Sequence, residues 1–228
     1  MNPATDPGGT LVLPLIRQVS RLLTPVLARL PVTANQITAA SLVAGLAASA
    51  LVAAGGRPAS LWGGILLFVS YALDNCDGEI ARLKNQATQF GERFDSFTDW
   101  AVHVAFFAGL GVGVASMRGG DVWIWLGAAA AAGATLNYAV QLAIEMRRAS
   151  GRHSAPPKAR VSGPRGRPAG ALQWVVFAFR ELARADFCFI FLALAAFDAT
   201  WILLPAAAVG AQAYWAMALI RWADEFQA

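Results

Sequence analysis

The sequence predicts an all-α integral membrane protein, a six-transmembrane-helix bundle preceded by an N-terminal interfacial amphipathic helix. Three observations lead there. Of the 228 residues, 57% are hydrophobic and only 14% charged, where a soluble domain carries about 25% charge. Six apolar segments are long enough, or nearly so, for the roughly 20 residues that cross a hydrocarbon core. The Lys and Arg residues gather on alternate connections, as in proteins that obey the positive-inside rule.

Residues 1–30 form an N-terminal segment and 31–228 a single transmembrane domain. The stretch Leu11–Leu30 sets Arg17, Arg21 and Arg29 among apolar residues, a pattern that suits a helix lying in the interface rather than across it. It lacks the short apolar core and small-residue cleavage site of a secretory signal peptide. The spans are expected at about 35–54, 60–82, 92–117, 122–145, 184–199 and 201–220. The fifth is short and is expected to begin earlier, near Gln173. Cys76 and Cys188 fall in different helices and read as small packing residues, with no disulfide framework.

Of the 18 Lys and Arg, only Arg57 and Arg118 lie in the connections of one side. The rest place both termini, and the acidic motif below, on the cytoplasmic face of an inner (cytoplasmic) membrane. Trp62, Trp123, Trp125 and Trp201 sit at the opposite helix ends, where an aromatic belt belongs. The net charge of +4 therefore needs no nucleic acid partner. The basic, Pro- and Gly-rich loop 147–170 reads either as a solvated loop drawn to anionic lipid or as part of an anionic-substrate site.

The informative feature is Asp74-x-x-Asp77-Gly78-x-x-Ala81-Arg82, followed after eight residues by Gly91-x-x-x-Asp95-x-x-x-Asp99. Asp74 and Asp77 share a helix face, and Gly91, Asp95 and Asp99 recur every four residues on the next helix. A short polar turn joins the two, so the stripes should meet. Each carboxylate at a bilayer centre costs about 2.5–3.5 kcal/mol on insertion scales, and four together repel unless a cation sits among them. An all-oxygen set favours Mg²⁺ or Mn²⁺, or Ca²⁺, over zinc, and two such ions form the usual clamp for displacement at phosphorus. Gly78 and Ala81 would let a flat base or a pyrophosphate approach the backbone, and Arg82 offers a fork for a phosphate oxygen.

This run closely resembles the signature of the CDP-alcohol phosphotransferase family, with every motif position filled. The layout of helices is also similar to that family's six-helix bundle, and Asn35-Gln36-Ile37-Thr38 resembles an Asn-x-Ile-Thr stretch that opens the first span in many members, with Ala34 in place of a preceding proline. The resemblance implies a membrane-embedded homodimer that transfers a substituted phosphate group from a CDP-alcohol to an acceptor hydroxyl, releasing CMP and leaving a phosphodiester, most often a phospholipid. It implies Asp74, Asp77, Asp95 and Asp99 as ligands of two Mg²⁺ or Mn²⁺ ions and Asp99 as general base. Asp74, Gly78, Ala81, Arg82, Gly91, Asn35 and Thr38 would contact the CDP moiety. Arg180 and Arg184 would hold an acceptor phosphate or else snorkel and pair locally. His103, one turn past Asp99, would orient it, reach an acceptor, or simply be hydrogen-bonded inside the bundle.

The two substrates stay open. The turn Asp95-Ser96-Phe97-Thr98-Asp99-Trp100 departs from the Asp-Pro-x-x-Asp-Lys of phosphatidylglycerophosphate synthases and half agrees with phosphatidylserine synthases. Asp77–Leu83 resembles members that couple CDP-inositol with an inositol phosphate; synthases that use CDP-diacylglycerol are the other option. Glu79 and Glu92 lie off the stripes and read as surface charges. The alternative from another class is a divalent-cation transporter. It would want carboxylates near the midplane and broken helices, whereas these acids gather on one face.

Overall fold

The computed structural model describes residues 15–149 and 187–224, and all its regular elements are helical. They are α1 (Leu15–Arg29), α2 (Ala34–Ala54), α3 (Arg57–Leu83), α4 (Gln89–Arg118), α5 (Val122–Ala149), α6 (Phe187–Ala196) and, after a short 3₁₀ turn at Thr200–Ile202, α7 (Leu203–Asp224). The expected spans thus reappear as helices a few residues longer at α3, α4 and α5. The expected start of the fifth span near Gln173, the 147–170 loop beyond Ala149, and Arg180 and Arg184 lie outside the described residues. Ala34–Ala54, Gln89–Arg118 and Thr200–Ile220 are long and apolar enough to cross a membrane. α3 and α5 fall outside that set, and Phe187–Ala196 is apolar but short.

Local sequence explains where the helices begin and end. Thr33 caps α2 through the Gln36 N–H, while the Gln36 side chain accepts from the Thr33 N–H in return, a reciprocal pair contributing about 1 kcal/mol. Thr88 caps α4 through the Gly91 N–H, and Pro58 sits in the first turn of α3, where its missing N–H is harmless. Between α3 and α4 the chain reverses at Asn85, in the left-handed region at φ 54°, a conformation that Asn tolerates better than most residues.

α1 divides its surface three ways. Ile16, Ser20 and Thr24 recur every four residues and are buried against α3. Leu22, Val26 and Leu30 project outward, and Arg17 and Arg21 form an exposed strip beside the buried one. Such a helix suits a boundary where protein, lipid and water meet.

Within the bundle, α2 is the shared element, packing along both α3 and α4; α5 packs on α4 and α7, and α6 on α3. Close approach depends on glycine, as expected where no hydrophobic drive distinguishes helix from lipid. A Cβ at Gly113 would collide with the Val52 carbonyl, and Gly109 faces the Ser49 carbonyl in the same seam. Gly111 of α4 and Gly127 of α5 meet backbone to backbone. The glycines of α4 are therefore used within the chain. Phe106, Phe107, Phe187 and Phe191 fill the centre edge-to-face, with ring centroids 4.9–5.8 Å apart.

Candidate active site

The last turns of α3 and the first turns of α4 carry the acidic motif. The helices reverse through only Lys84–Thr88, so their stripes face each other at one end of the bundle. Carboxylate oxygens of Asp74, Asp77 and Asp95 all lie within 4.8 Å of one another. Asp77 is buried at 5% exposure, while Asp74 and Asp95 are half-buried and within hydrogen-bonding reach of each other. Asp99 lies one turn beyond Asp95, more exposed, and acts electrostatically on all three. The donor set of this triad is entirely oxygen. That arrangement fits a hard divalent cation.

α2 supplies the third wall. Thr38 donates its hydroxyl to Oδ2 of Asp77, with the Ala34 carbonyl 3.1 Å away. Asn35 sits against α4, its Oδ1 only 3.1 Å from where a Cβ at Gly91 would stand. Asn35 and Thr38 therefore both reach the acidic helices, while Gly78, Ala81 and Arg82 follow Asp77 along α3.

Gly78 differs from the glycines of the seams. Among the described residues, a Cβ there would meet the Arg82 guanidinium, 3.5 Å away, and no neighbouring helix. Arg82 is exposed and lines an open groove of about 340 Å³ with Thr24, Glu79 and Leu83. This groove lies between α1 and α3, beside the carboxylates rather than over them.

His103 is held from both sides. Its Nδ1 lies 2.6 Å from the Asp99 carbonyl oxygen and its Nε2 lies 3.2 Å from Tyr71 Oη. Trp100, next to Asp99, donates from Nε1 to Thr135 (3.2 Å) and stacks on Tyr138, tying α4 to α5 beside the site.

Three residues that position the site had no assigned part in the sequence reading. Glu79 is not a free surface charge: it accepts from Ser20 (3.1 Å) and Thr24 (2.6 Å) and so fastens α1 to α3. A signal was present in α1, where Ser20 and Thr24 stand four residues apart on one face of an amphipathic helix. Lys84 donates to the carbonyls of Leu30 and Val32, both at 2.8 Å, and Gln86 accepts from the Ala34 N–H at 3.0 Å. The turn joining the acidic helices thereby grips the connection leading into α2. No periodicity could reveal that, because these bonds join residues more than 50 positions apart.

Comparison with known proteins agrees with this geometry. A stretch of 96 residues is 40% identical to the bifunctional IPC transferase and DIPP synthase of Aquifex aeolicus (strain VF5). That match spans 42% of this chain and 21% of the relative's length. The family profile of CDP-alcohol phosphatidyltransferases, transferases of phosphorus-containing groups, matches residues 31–220. With α2 to α6, most of α7 and the whole acidic motif inside that range, the chain belongs to the CDP-alcohol phosphatidyltransferase family.

Proposed function

We propose that this protein transfers a substituted phosphate group from a CDP-alcohol to an acceptor hydroxyl, with Mg²⁺ or Mn²⁺, at the cytoplasmic surface of a membrane that its helices cross six times. The observation that carries the proposal is the convergence of Asp74, Asp77 and Asp95 from two helices beside a glycine, Gly78, whose bare face no other described helix approaches within 4 Å.

Asp74, Asp77 and Asp95, with Asp99 alongside, would hold two divalent ions. Bound there, such ions supply the positive charge that offsets the carboxylates and the diphosphate of the donor. Thr38 keeps the Asp77 carboxylate oriented toward the cluster. The cytidine lies along Gly78 and Ala81, with Asn35 and Gly91 on the facing side and Arg82 on a phosphate oxygen. Asp99, the most exposed of the four, takes the proton of the acceptor hydroxyl. The acceptor oxygen bonds to the β-phosphorus, and the bond from that phosphorus to the bridging oxygen breaks. CMP departs with the electron pair.

The distribution of Lys and Arg supports the cytoplasmic placement. Lipid donors and acceptors suit an enzyme of this family, and CDP-diacylglycerol heads the panel of donors. The CDP-inositol and inositol phosphate pair comes second, on the resemblance of Asp77–Leu83. A homodimer is expected from the family resemblance, and Arg180 and Arg184 remain candidates for an acceptor phosphate.

The test is CMP release by purified protein with Mg²⁺ or Mn²⁺, across CDP-alcohols and candidate acceptors. Metal-dependent CMP formation with at least one pair is expected. Cation flux into liposomes without CMP release from any pair would overturn the proposal.

A further inference from the structure

α3 and α4 carry the four carboxylates, yet they make few close backbone approaches to each other; each packs along α2 instead. The gap between the acidic stripes is therefore not fixed by helix-to-helix contact. Outside the acidic cluster itself, a long side-chain link crosses it. Tyr71 lies one turn before Asp74 on α3, and His103 one turn after Asp99 on α4, with ring centroids 6.2 Å apart. His103 Nδ1 faces a carbonyl oxygen, that of Asp99, at 2.6 Å, so this nitrogen carries the hydrogen. Nε2 is then an acceptor, and the Tyr71 hydroxyl, 3.2 Å away, donates to it. Both ring nitrogens are occupied and the tautomer is fixed. Tyr71 also lies within electrostatic range of both Asp74 and Asp99.

We propose that Tyr71 and His103 are positioning residues for the metal site: their hydrogen-bonded pair spans the gap between α3 and α4 and sets the separation across which the carboxylates grip divalent ions. This rests on the proposed function above and goes further, because neither residue is itself a ligand. The ordinary structural role for such a pair would be to add stability anywhere along the helices. Its placement one turn from the acids on both helices makes the carboxylate spacing the quantity it controls. Residues that orient ligands in this indirect way affect metal affinity by roughly ten- to a hundredfold.

The experiment measures Mn²⁺ binding to the purified full chain by electron paramagnetic resonance, alongside kcat and KM for CMP release. The variants are Tyr71→Phe, His103→Phe, the double variant Tyr71→Phe/His103→Phe, and His103→Gln, whose amide can both donate and accept. Tyr71→Phe and His103→Phe should each weaken Mn²⁺ binding at least about tenfold and lower kcat more than they raise KM. The double variant should be no worse than the more damaging single one, because both changes break one link. His103→Gln should recover most of the affinity. Unchanged Mn²⁺ affinity in both single variants, or losses that simply add, overturns this inference and leaves the proposed function standing. Absence of Mn²⁺ binding by the unaltered protein overturns both.

Discussion

Thr38 of α2 hydrogen-bonds Asp77 of α3, and both are almost wholly enclosed by protein. A buried carboxylate without a donor is costly, and a hydrogen bond to a charged group contributes about 1.5–3 kcal/mol. Thr38→Val keeps the shape and removes the donor. A fall in kcat/KM for CMP release of about ten- to a hundredfold is expected, with Thr38→Ser close to the parent. Full activity in Thr38→Val would show that Asp77 needs no help from α2.

Asp99 is more exposed than the triad formed by Asp74, Asp77 and Asp95. Asp99→Asn should abolish CMP release while binding of the CDP substrate, followed by calorimetry, largely survives. Asp77→Asn and Asp95→Asn should instead lose Mn²⁺ binding together with activity. Loss of substrate binding in Asp99→Asn would make that residue an essential ligand rather than the base.

Two glycines allow a direct contrast. Gly78→Ala adds a methyl that meets only the Arg82 side chain, whereas Gly113→Ala drives one into the Val52 carbonyl. The first should fold normally and lose activity by at least about tenfold, from roughly 1.4 kcal/mol of lost complementarity to the nucleotide. The second should lower the thermal midpoint, by about 1–3 kcal/mol of overpacking. Thermal unfolding in detergent and CMP release, measured on both, separate the two roles.

Glu79 holds α1 through Ser20 and Thr24. Thr24→Val leaves half of that attachment, and Glu79→Ala removes it. Limited proteolysis should cut near Pro31 faster in both, more so in Glu79→Ala, with a stability loss of about 1–3 kcal/mol. An unchanged cleavage rate would mean that apolar packing alone seats the helix.

The strap between turns gives a further measurement. Lys84→Ala and Gln86→Ala release the connection that leads into Asn35 and Thr38. KM for the CDP donor should rise several-fold in each, with kcat less affected. Equal changes in both parameters would place these residues outside donor binding.

Much of this was legible in the chain itself. The spacing of Asp74, Asp77, Asp95 and Asp99 announced two facing stripes because helical periodicity is a local property, and apolar run length set the helices to within a few residues. What could not be read were the long-range partners. Glu79 looked like a surface charge because its donors lie 55 and 59 residues away. The short turn after Leu83 implied that the acidic stripes would meet, as Asp74, Asp77 and Asp95 do, but not that α2 packs along both helices. The neighbours of the α4 glycines are long-range as well, α2 for Gly109 and Gly113 and α5 for Gly111.

Those glycine seams lie far along α4 from its acidic turns, about 20 Å by helical rise from Asp95 to Gly109. The closest backbone approaches of α4, at Gly109, Gly111 and Gly113, are thus set well away from the carboxylates it carries. A side chain changed in the first turns of α4 therefore leaves those seams intact, so the acidic end can vary without loosening the far half of the helix.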